Sequence, residues 1–504
     1  MILDANSLYS GLIQHGLFPV QKKSKEELPP LFSSENITIN TANEIQKVDL
    51  CNRREKSGFD TIEYSSTRYN NVPRIFSIPH PKAHIDLAWS FKENFNNIQQ
   101  GFKNERSLIL PKKHLDGRII IMDYESQWKN RTRTLKMEFA KKFIVKTDIS
   151  NCFPSIYSHS IGWALVGTEN AKNNRNPKLW YNVIDKAQRL NKRNETSGIP
   201  IGPATSNITA EIILGKIDND MSEQFSYVRF IDDYTAYCDT YEQAESFLRI
   251  LNTNLSKYKL SLNINKTSIN KSPLPISDAW IGELKRLIPN KNNITAAMAS
   301  DILDAALRLQ KIEPGGSILK FAIKSLSKKV TGYDVYEFLS YLFKLSFHYP
   351  ILITILKMPL KSAYEQNLFR NTGKTFEDEL KKLLDHSIIH RRSDSICWIL
   401  YYLSLYHPNV SDEIADEIIK TADSLSISLL AIIDDYKHEN KALEFAQSLN
   451  IDDIYNIDQN WILFYQLFKR GKIDNPYINI KCSEDCFDIL KNSEVEFVKP
   501  PSVS

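Results

Sequence analysis

The pattern of hydrophobic and polar positions changes near residue 278. Before that point, short runs of β-branched and aromatic residues, typical of strands, alternate with stretches of helical periodicity. After it, apolar residues recur at helical spacing in segment after segment, separated by polar or Pro/Gly breaks. The pattern predicts an α+β domain over residues 1–277 and an all-α domain over residues 278–504, the latter a stacked helical array of the HEAT kind.

Three strand signals of the first part carry charged residues at their ends. Residues 226–237 read as two short strands joined by a tight turn that holds Asp232 and Asp233. Residues 143–148 form a second signal that ends in Asp148, and a helix is expected to begin near Ser155. Residues 260–267 alternate like a third strand that contains Lys266. We expect the sheet to bring the three aspartates together.

The adjacent carboxylates of Asp232 and Asp233 repel each other unless a cation or a raised pKa relieves them. Hard oxygen ligands on a rigid turn suit Mg²⁺, so the turn is a candidate metal site. A solvated Asp-Asp β-turn is the alternative. Asp434 and Asp435 provide a comparison, because they have similar neighbours in sequence but helical flanks, and we assign them no chemistry.

A Gly-rich segment, residues 197–207, lies between the two acidic motifs. Its glycines allow the backbone to approach a ligand closely, although an ordinary loop leading into a helix is also compatible with it. Upstream, a basic stretch interleaved with Trp128 and Phe139 indicates either a solvated face or phosphate binding. Its members are Lys112, Lys113, Arg118, Lys129, Arg131, Arg133, Lys136, Lys141 and Lys142.

Composition narrows the class of protein only modestly. The 504 residues carry a net charge of +4, so any basic surface for nucleic acid must be local. Six scattered cysteines indicate reduced thiols, and neither a signal peptide nor a membrane-length apolar run is evident. These features predict a cytoplasmic protein without membrane contact. Four lysines of the helical part could line a path for nucleic acid, but we expect them to lie on solvated helix faces: Lys320, Lys324, Lys328 and Lys329.

The motifs over about residues 70–275 resemble the palm of reverse transcriptases. Asp148 with Phe153, residues 198–206, residues 230–233 and residues 263–267 are similar to four of that family's motifs, in the same order. The letters of residues 147–160 and 198–206 look like those of the abortive-infection (Abi) polymerases of bacterial anti-phage defence. The resemblance implies fingers and palm, and a nucleotidyltransferase that polymerises dNTPs without a template and from a protein primer.

The resemblance also implies roles for individual residues. Asp148 and Asp232 would bridge two Mg²⁺ ions, for which Mn²⁺ can substitute, with Asp233 and Ile149 completing the metal site. Phe153 would lie under the incoming sugar and exclude a 2′-hydroxyl. The residues expected to contact the nucleotide are Gly202, Arg74, Arg131 and Lys266. The hydroxyl expected to prime synthesis belongs to Tyr9, Tyr64 or Tyr69.

Some positions depart from the general reverse-transcriptase pattern. Ile201 stands where many members carry glutamine, Asn207 where many carry proline, and Phe230 where tyrosine is common. Loss of a polar side chain beside the templating base favours untemplated synthesis. The expected partners are dNTPs, a single-stranded DNA product that can be covalently attached, and further copies of the chain in a bacterial cytoplasm. Two alternatives stay open: templated RNA-directed synthesis, and an inactive palm that acts as a nucleic-acid-binding scaffold.

Overall fold

A computed structural model describes residues 3–19, 26–122, 127–221, 223–365, 376–406, 409–478 and 484–500. Strands occur only before residue 278 in these ranges, and helices make up the regular structure after it, which confirms the expected fold class. The strands are β1 (Thr61–Ser66), β2 (Arg74–Pro79), β3 (Phe143–Asp148), β4 (Ser226–Phe230), β5 (Asp233–Cys238) and β6 (Ser268–Lys271). No helix in the ranges above is long and apolar enough for a membrane crossing.

The helices follow the periodicity of the sequence. In the α+β part they are α1 (Ala5–His15), α2 (Ile39–Lys47), α3 (Asn52–Ser57), α4 (Pro81–Glu93), α5 (Phe95–Ile98), α6 (Gln127–Glu138), α7 (Cys152–Ser155), α8 (Ser160–Val166), α9 (Thr168–Asn173), α10 (Trp180–Leu190), α11 (Ala204–Asp220) and α12 (Tyr241–Lys257). In the helical part they are α13 (Ala279–Leu287), α14 (Ala296–Ile312), α15 (Ile318–Leu326), α16 (Asp334–His348), α17 (Lys357–Glu365), α18 (Glu377–Ile389), α19 (Ser393–Tyr406), α20 (Asp412–Lys420), α21 (Ser424–Leu430), α22 (Glu439–Ser448), α23 (Ile454–Asp458), α24 (Trp461–Lys469) and α25 (Glu484–Asn492).

The central sheet is antiparallel and has the strand order β4-β5-β3-β6. Alternate residues of β4 and β5, among them Tyr227, Tyr234 and Ala236, are buried, as the period of a strand requires when one face covers a core. Helix α12 packs against that face, and its Phe247 ring lies 5.4 Å from the ring of Tyr227. The sheet is therefore a rigid support for the residues at its edge.

The two halves of the chain pack against each other. Arg54 on α3 donates to both carboxylate oxygens of Asp458 on α23, at 2.6 Å each, and both side chains are fully buried. Farther along, Phe32 pairs with Val498 in a β-bridge, and the His80 ring stacks on Phe487. The hydrophobic core is continuous across residue 277. The proposed boundary between residues 277 and 278 stays a prediction.

The strand predicted over residues 260–267 is wrong. That segment turns instead through a short 3₁₀ helix, Ile264–Lys266, and β6 begins only at Ser268. The N–H of Asn263 donates to the carbonyl of Asp148 at 2.7 Å, and the Thr267 hydroxyl donates to the carbonyl of Asn263 at 2.8 Å. One of these bonds is with a distant residue and the other is local, and together they replace the ladder that an alternating pattern predicts.

Two smaller expectations also change. The helix expected near Ser155 is the short α7, which ends there, and the longer α8 follows after a turn. Among the described cysteines, four are buried free thiols: Cys152, Cys238, Cys397 and Cys486. Cys51 is disulfide-bonded and thus departs from the expectation of reduced thiols.

Candidate active site

The sheet brings the three aspartates together at one end. Asp148 is the last residue of β3, and it lies opposite Asp233, the first residue of β5, in the strand register. Asp232 occupies the turn before β5, where its carbonyl accepts a 3.1 Å hydrogen bond from the N–H of Ile149. The four residues expected at the metal site are thus neighbours. That they bind metal stays a prediction.

Burial and neighbouring carboxylates raise the pKa values of Asp232 and Asp233. Burial, then the charges of Asp148 and Asp233, raise the pKa of Asp232 to about 6. The pKa of Asp233 is also raised, first by burial and then by Asp148, while Lys266 opposes the shift. A cluster of this kind is destabilised by its own charge and is stabilised by a cation.

Lys266 supplies one such cation. Its Nζ lies 2.5 Å from Asp148 Oδ2, and this hydrogen bond is the largest contribution to the raised pKa of the lysine. The other carboxylate oxygen, Asp148 Oδ1, is buried and has no hydrogen-bond partner among the described residues. An ionised oxygen in that position needs a ligand, because an unpaired buried acceptor is costly.

These groups fit a divalent metal by their chemistry. Carboxylate and carbonyl oxygens are the ligands that Mg²⁺ prefers, with water and substrate phosphates completing its shell. Within the described ranges, no three His, Cys, Asp or Glu side chains are arranged as a preformed cage.

Arg229 supports the turn from beneath, a role that sequence reasoning missed. It is fully buried on β4, where its Nε donates to Asp218 at 2.7 Å and its Nη2 to Glu211 at 2.8 Å. Its Nη1 donates to the carbonyl of Ile231 at 2.9 Å. Burial lowers the pKa of Arg229, but Asp218 and Glu211 outweigh burial and hold it well above its usual value. The sequence feature that could have indicated this role is a charged residue at a strand position whose side chain is expected to face the core.

The turn itself is conformationally demanding. Ile231 adopts φ of +56°, a region that β-branched residues rarely enter. Such a backbone persists only where the surrounding structure enforces it. The hydrogen bond from Arg229 to the Ile231 carbonyl is one contact that does so.

The Gly-rich segment lies against the motif that follows β3. The N–H of Ile199 donates to the carbonyl of Phe153 at 3.0 Å, and that of Gly198 to the carbonyl of Ile156 at 2.8 Å. Phe153 is half-buried on α7. The side chain of Ile201 is half-buried as well, and its carbonyl accepts from Ser77 at 2.8 Å. The segment is therefore held by backbone bonds on both sides.

Replacing Gly202 with alanine is expected to destabilise the protein by about 1–3 kcal/mol. Its φ is +128°, and an added Cβ would lie 3.3 Å from the Phe76 ring. The same change at Gly282, on α13, meets nothing within 4 Å and should be neutral or stabilising. Urea unfolding of the two variants measures the difference. Equal stabilities would contradict a constrained backbone at Gly202.

The other residues expected to contact the nucleotide differ in how close they lie to the three aspartates. Arg74, exposed at the start of β2, is near enough to Asp232 for its charge to lower the pKa of that carboxyl. Lys266 contacts Asp148, as described above. Arg131 is exposed on α6, whose Asn130 and Arg133 line a cavity of about 270 Å³ that reaches Asp233. Their contact with a nucleotide stays a prediction.

Two of the three candidate primers are inaccessible. Tyr9 and Tyr64 are 1% and 0% exposed, and the Tyr64 hydroxyl donates to the carbonyl of Glu27 at 2.9 Å. A priming hydroxyl has to enter the active site, so this burial speaks against both residues. Tyr69 is 49% exposed and remains a candidate for the priming residue.

The lysines of the helical part do not form a free basic row. Lys320 and Lys324 both pair with Glu26. Lys329 Nζ donates to the carbonyl of Lys291 at 3.3 Å, and Lys328 is exposed. A nucleic-acid path along them therefore competes with existing contacts.

The comparison pair, Asp434 and Asp435, lies in a 3₁₀ turn between α21 and α22. Asp434 Oδ2 accepts a 2.7 Å hydrogen bond from the backbone of Val410, which is a structural contact. Among the residues that the structure describes, this turn joins two helices and belongs to no strand pair of the kind that β3 and β5 form beside Asp232.

Residues 82–280 match the family model described as "Reverse transcriptase (RNA-dependent DNA polymerase)". This segment is a reverse transcriptase domain. The matched family is one of nucleotidyltransferases of the DNA polymerase type, and the match confirms the resemblance of this segment to reverse transcriptases. No curated protein matches the sequence.

Similar solved structures include three of telomerase. Apo telomerase from Candida tropicalis, truncated from its C-terminal domain, shares 12% identity over 47% of this chain and 55% of that one, with a TM-score of 0.30. Telomerase from Candida albicans with a fragment of telomeric RNA shares 12% identity over 82% of this chain and 68% of that one, with a TM-score of 0.27. A second structure of apo telomerase from Candida tropicalis shares 11% identity over 88% of this chain and 76% of that one, with a TM-score of 0.31. The chain thus spans about half the length of the first of these.

Proposed function

We propose that the chain polymerises dNTPs by metal-dependent nucleotidyl transfer at Asp148, Asp232 and Asp233. The observation that carries this proposal is the meeting of Asp148, at the end of β3, with Asp232 and Asp233, at the turn before β5, within a reverse transcriptase domain. An inactive scaffold has little reason to keep this cluster, since its charge destabilises the fold.

The proposed metal ligands are the three carboxylates and the backbone of Ile149. Mg²⁺, or Mn²⁺ in its place, supplies activation of the attacking hydroxyl and stabilisation of the leaving pyrophosphate when bound. Asp148 lies close enough to Asp232 for its charge to raise the pKa of that carboxyl, as is expected of a shared ligand pair. Asp148 Oδ1 is the oxygen with no competing partner among the described residues.

Lys266 holds a proton near the reacting groups. Its raised pKa keeps the ammonium charged at neutral pH, and its side chain is 64% exposed, so it can leave Asp148 and approach a triphosphate. There it can stabilise or protonate the leaving group. Arg74 adds positive charge on the same side. Phe153 carries the ring proposed to exclude a 2′-hydroxyl.

The finer proposal is untemplated, protein-primed synthesis in anti-phage defence by a homo-oligomer. It rests on the resemblance of residues 147–160 and 198–206 to Abi polymerases and on Ile201, whose apolar side chain offers no hydrogen bond to a templating base. The product would be single-stranded DNA attached to the protein, and Tyr69 is the exposed candidate for the attachment.

Incubation with each dNTP singly, with Mg²⁺ and with or without a primed RNA or DNA template, tests both levels of the proposal. We expect a product from a single dNTP without template, and its migration with the protein under denaturing conditions. Product that forms only with template and matches its sequence would support templated reverse transcription and contradict the finer proposal. No product under any condition, with Mg²⁺ or Mn²⁺, would contradict polymerase activity itself.

A further inference from the structure

A cavity of about 460 Å³ lies among α8, α9 and α10, on elements that contribute none of the three aspartates. Its volume is within the range of ligand sites, roughly 300–1,000 Å³. Twelve residues line it, and we refer to it as the α8–α10 pocket. Its lining combines positive charge, aromatic rings and one buried carboxylate.

Positive charge dominates the lining. It includes the cations Lys172, Arg175, Lys186 and Arg189 but a single acid, Asp185. Lys186 pairs with Glu55 at 3.0 Å, and Arg189 Nε lies 3.5 Å from Asp185. In the part of the chain that the structure describes, Lys172 and Arg175 have no ion-pair partner, and both are exposed. Two cations are therefore available to an anion.

Asp185 presents an acceptor on the wall of the pocket. It is 6% exposed, and its Oδ2 is 2.7 Å from Nδ1 of His159. Its Oδ1 is buried without a hydrogen-bond partner among the described residues. A ligand hydroxyl or N–H group would satisfy that oxygen. The contact with Asp185 also fixes the orientation of the His159 ring.

Aromatic rings form another wall. The centroids of Tyr157 and Trp163 are 5.5 Å apart, and both residues are half-buried. Lys172 Nζ lies 5.4 Å from the Trp163 ring, so charge and aromatic surface are adjacent. Flat rings beside cations and a hydrogen-bond acceptor match the three parts of a nucleotide: base, phosphate and sugar hydroxyl or base N–H.

We infer that the α8–α10 pocket binds a nucleoside phosphate at a site separate from Asp148, Asp232 and Asp233. The occupant is either a free nucleotide or the phosphorylated end of a strand, which share this chemistry. The pocket adjoins the Gly-rich segment, because Tyr157 forms a β-bridge with Ser197 and the Ser158 N–H donates to Thr196 at 2.9 Å. The pocket is therefore adjacent to the segment that leads to Gly202.

Calorimetric titration of the full chain in EDTA tests the inference without requiring catalysis. The probes are ATP, dATP, adenosine, inorganic triphosphate and a 5′-phosphorylated tetranucleotide. We expect a nucleoside phosphate to bind at least 10-fold more tightly than adenosine or triphosphate alone. The Asp232→Asn variant should bind it equally well, since the pocket contains none of the three aspartates. This binding is therefore expected even if the protein shows no polymerase activity.

Variants locate the binding site. Combined Lys172→Glu and Arg175→Glu changes alter only exposed side chains and should weaken binding at least 10-fold, as should Trp163→Leu if the base stacks there. Lys178→Glu is the matched control, because Lys178 is exposed on the same connection but does not line the pocket. Its binding should equal that of the wild type.

The comparison of probes identifies the occupant. Tighter binding of the tetranucleotide than of ATP and dATP indicates a strand end, and the reverse order indicates a free nucleotide. Absence of binding by every nucleoside phosphate, or binding that the double charge reversal leaves unchanged, would overturn the inference.

Discussion

Replacing Asp232 with asparagine is expected to abolish nucleotide incorporation while making the metal-free protein more stable. The loss of activity should be at least about 1,000-fold, because a neutral amide is a poor metal ligand and cannot replace a bridging carboxylate. The gain in stability follows from the pKa of Asp232, which burial, Asp148 and Asp233 raise to about 6.

The size of this gain in stability depends on pH. A carboxyl whose pKa is higher in the folded than in the unfolded state binds protons more tightly when folded, so stability falls as pH rises from about 4 to 6. Above pH 6 the full penalty remains. We expect Asp232→Asn to recover about 1 kcal/mol at pH 7, discounted because the residue is partly exposed, and almost nothing near pH 4.

Urea unfolding in EDTA at pH 4 and pH 7, together with a dNTP incorporation assay, measures both effects. Asp435→Asn is the matched control, since it makes the same chemical change in a similar sequence at an exposed turn. It should alter neither activity nor stability. An active Asp232→Asn enzyme would remove this residue from the proposed site, and a less stable one would contradict the charge repulsion.

Replacing Arg229 with methionine is expected to destabilise the protein by about 3–5 kcal/mol and to reduce activity with it. The change leaves the buried carboxylates of Asp218 and Glu211 without their cation. It also removes the hydrogen bond to the carbonyl of Ile231, which holds the turn before Asp232. Denaturant unfolding at pH 7 measures the first effect.

A conservative variant separates the two roles of Arg229. Lysine retains the charge but cannot reach Asp218, Glu211 and the Ile231 carbonyl at once, so Arg229→Lys should recover part of the stability while incorporation stays low. Arg249→Met is the control, because Arg249 is exposed on α12, and it should shift stability by less than about 0.5 kcal/mol. Wild-type stability of Arg229→Met would contradict the buried network.

Local patterns in the sequence were sufficient to predict the hairpin of β4 and β5, the strand that ends at Asp148 and most helices of the second half. Each of these elements has a periodicity that its own residues express. The strand predicted over residues 260–267 failed because its backbone bonds to Asp148, a partner more than a hundred positions away. No local pattern contains that contact.

The residues that hold the active site in place were harder to predict from the sequence than the three aspartates. Carboxylates beside a turn have recognisable chemistry, whereas Arg229 resembles any strand arginine until α11 supplies Glu211 and Asp218. The burial of Tyr9 and Tyr64 likewise depends on how distant elements pack. The α8–α10 pocket arises from the placement of three short helices, which a linear pattern does not specify.

The contact between Arg54 and Asp458 has a consequence for biosynthesis. A ribosome releases the N-terminal residues first, yet Arg54, Phe32 and His80 complete their packing only with residues 458–498. The nascent polymerase segment therefore emerges with an unpaired guanidinium and uncovered rings, and it must wait for nearly the whole chain before its core closes. We therefore expect the first half of the chain to complete its folding only after residues 458–498 have been synthesised.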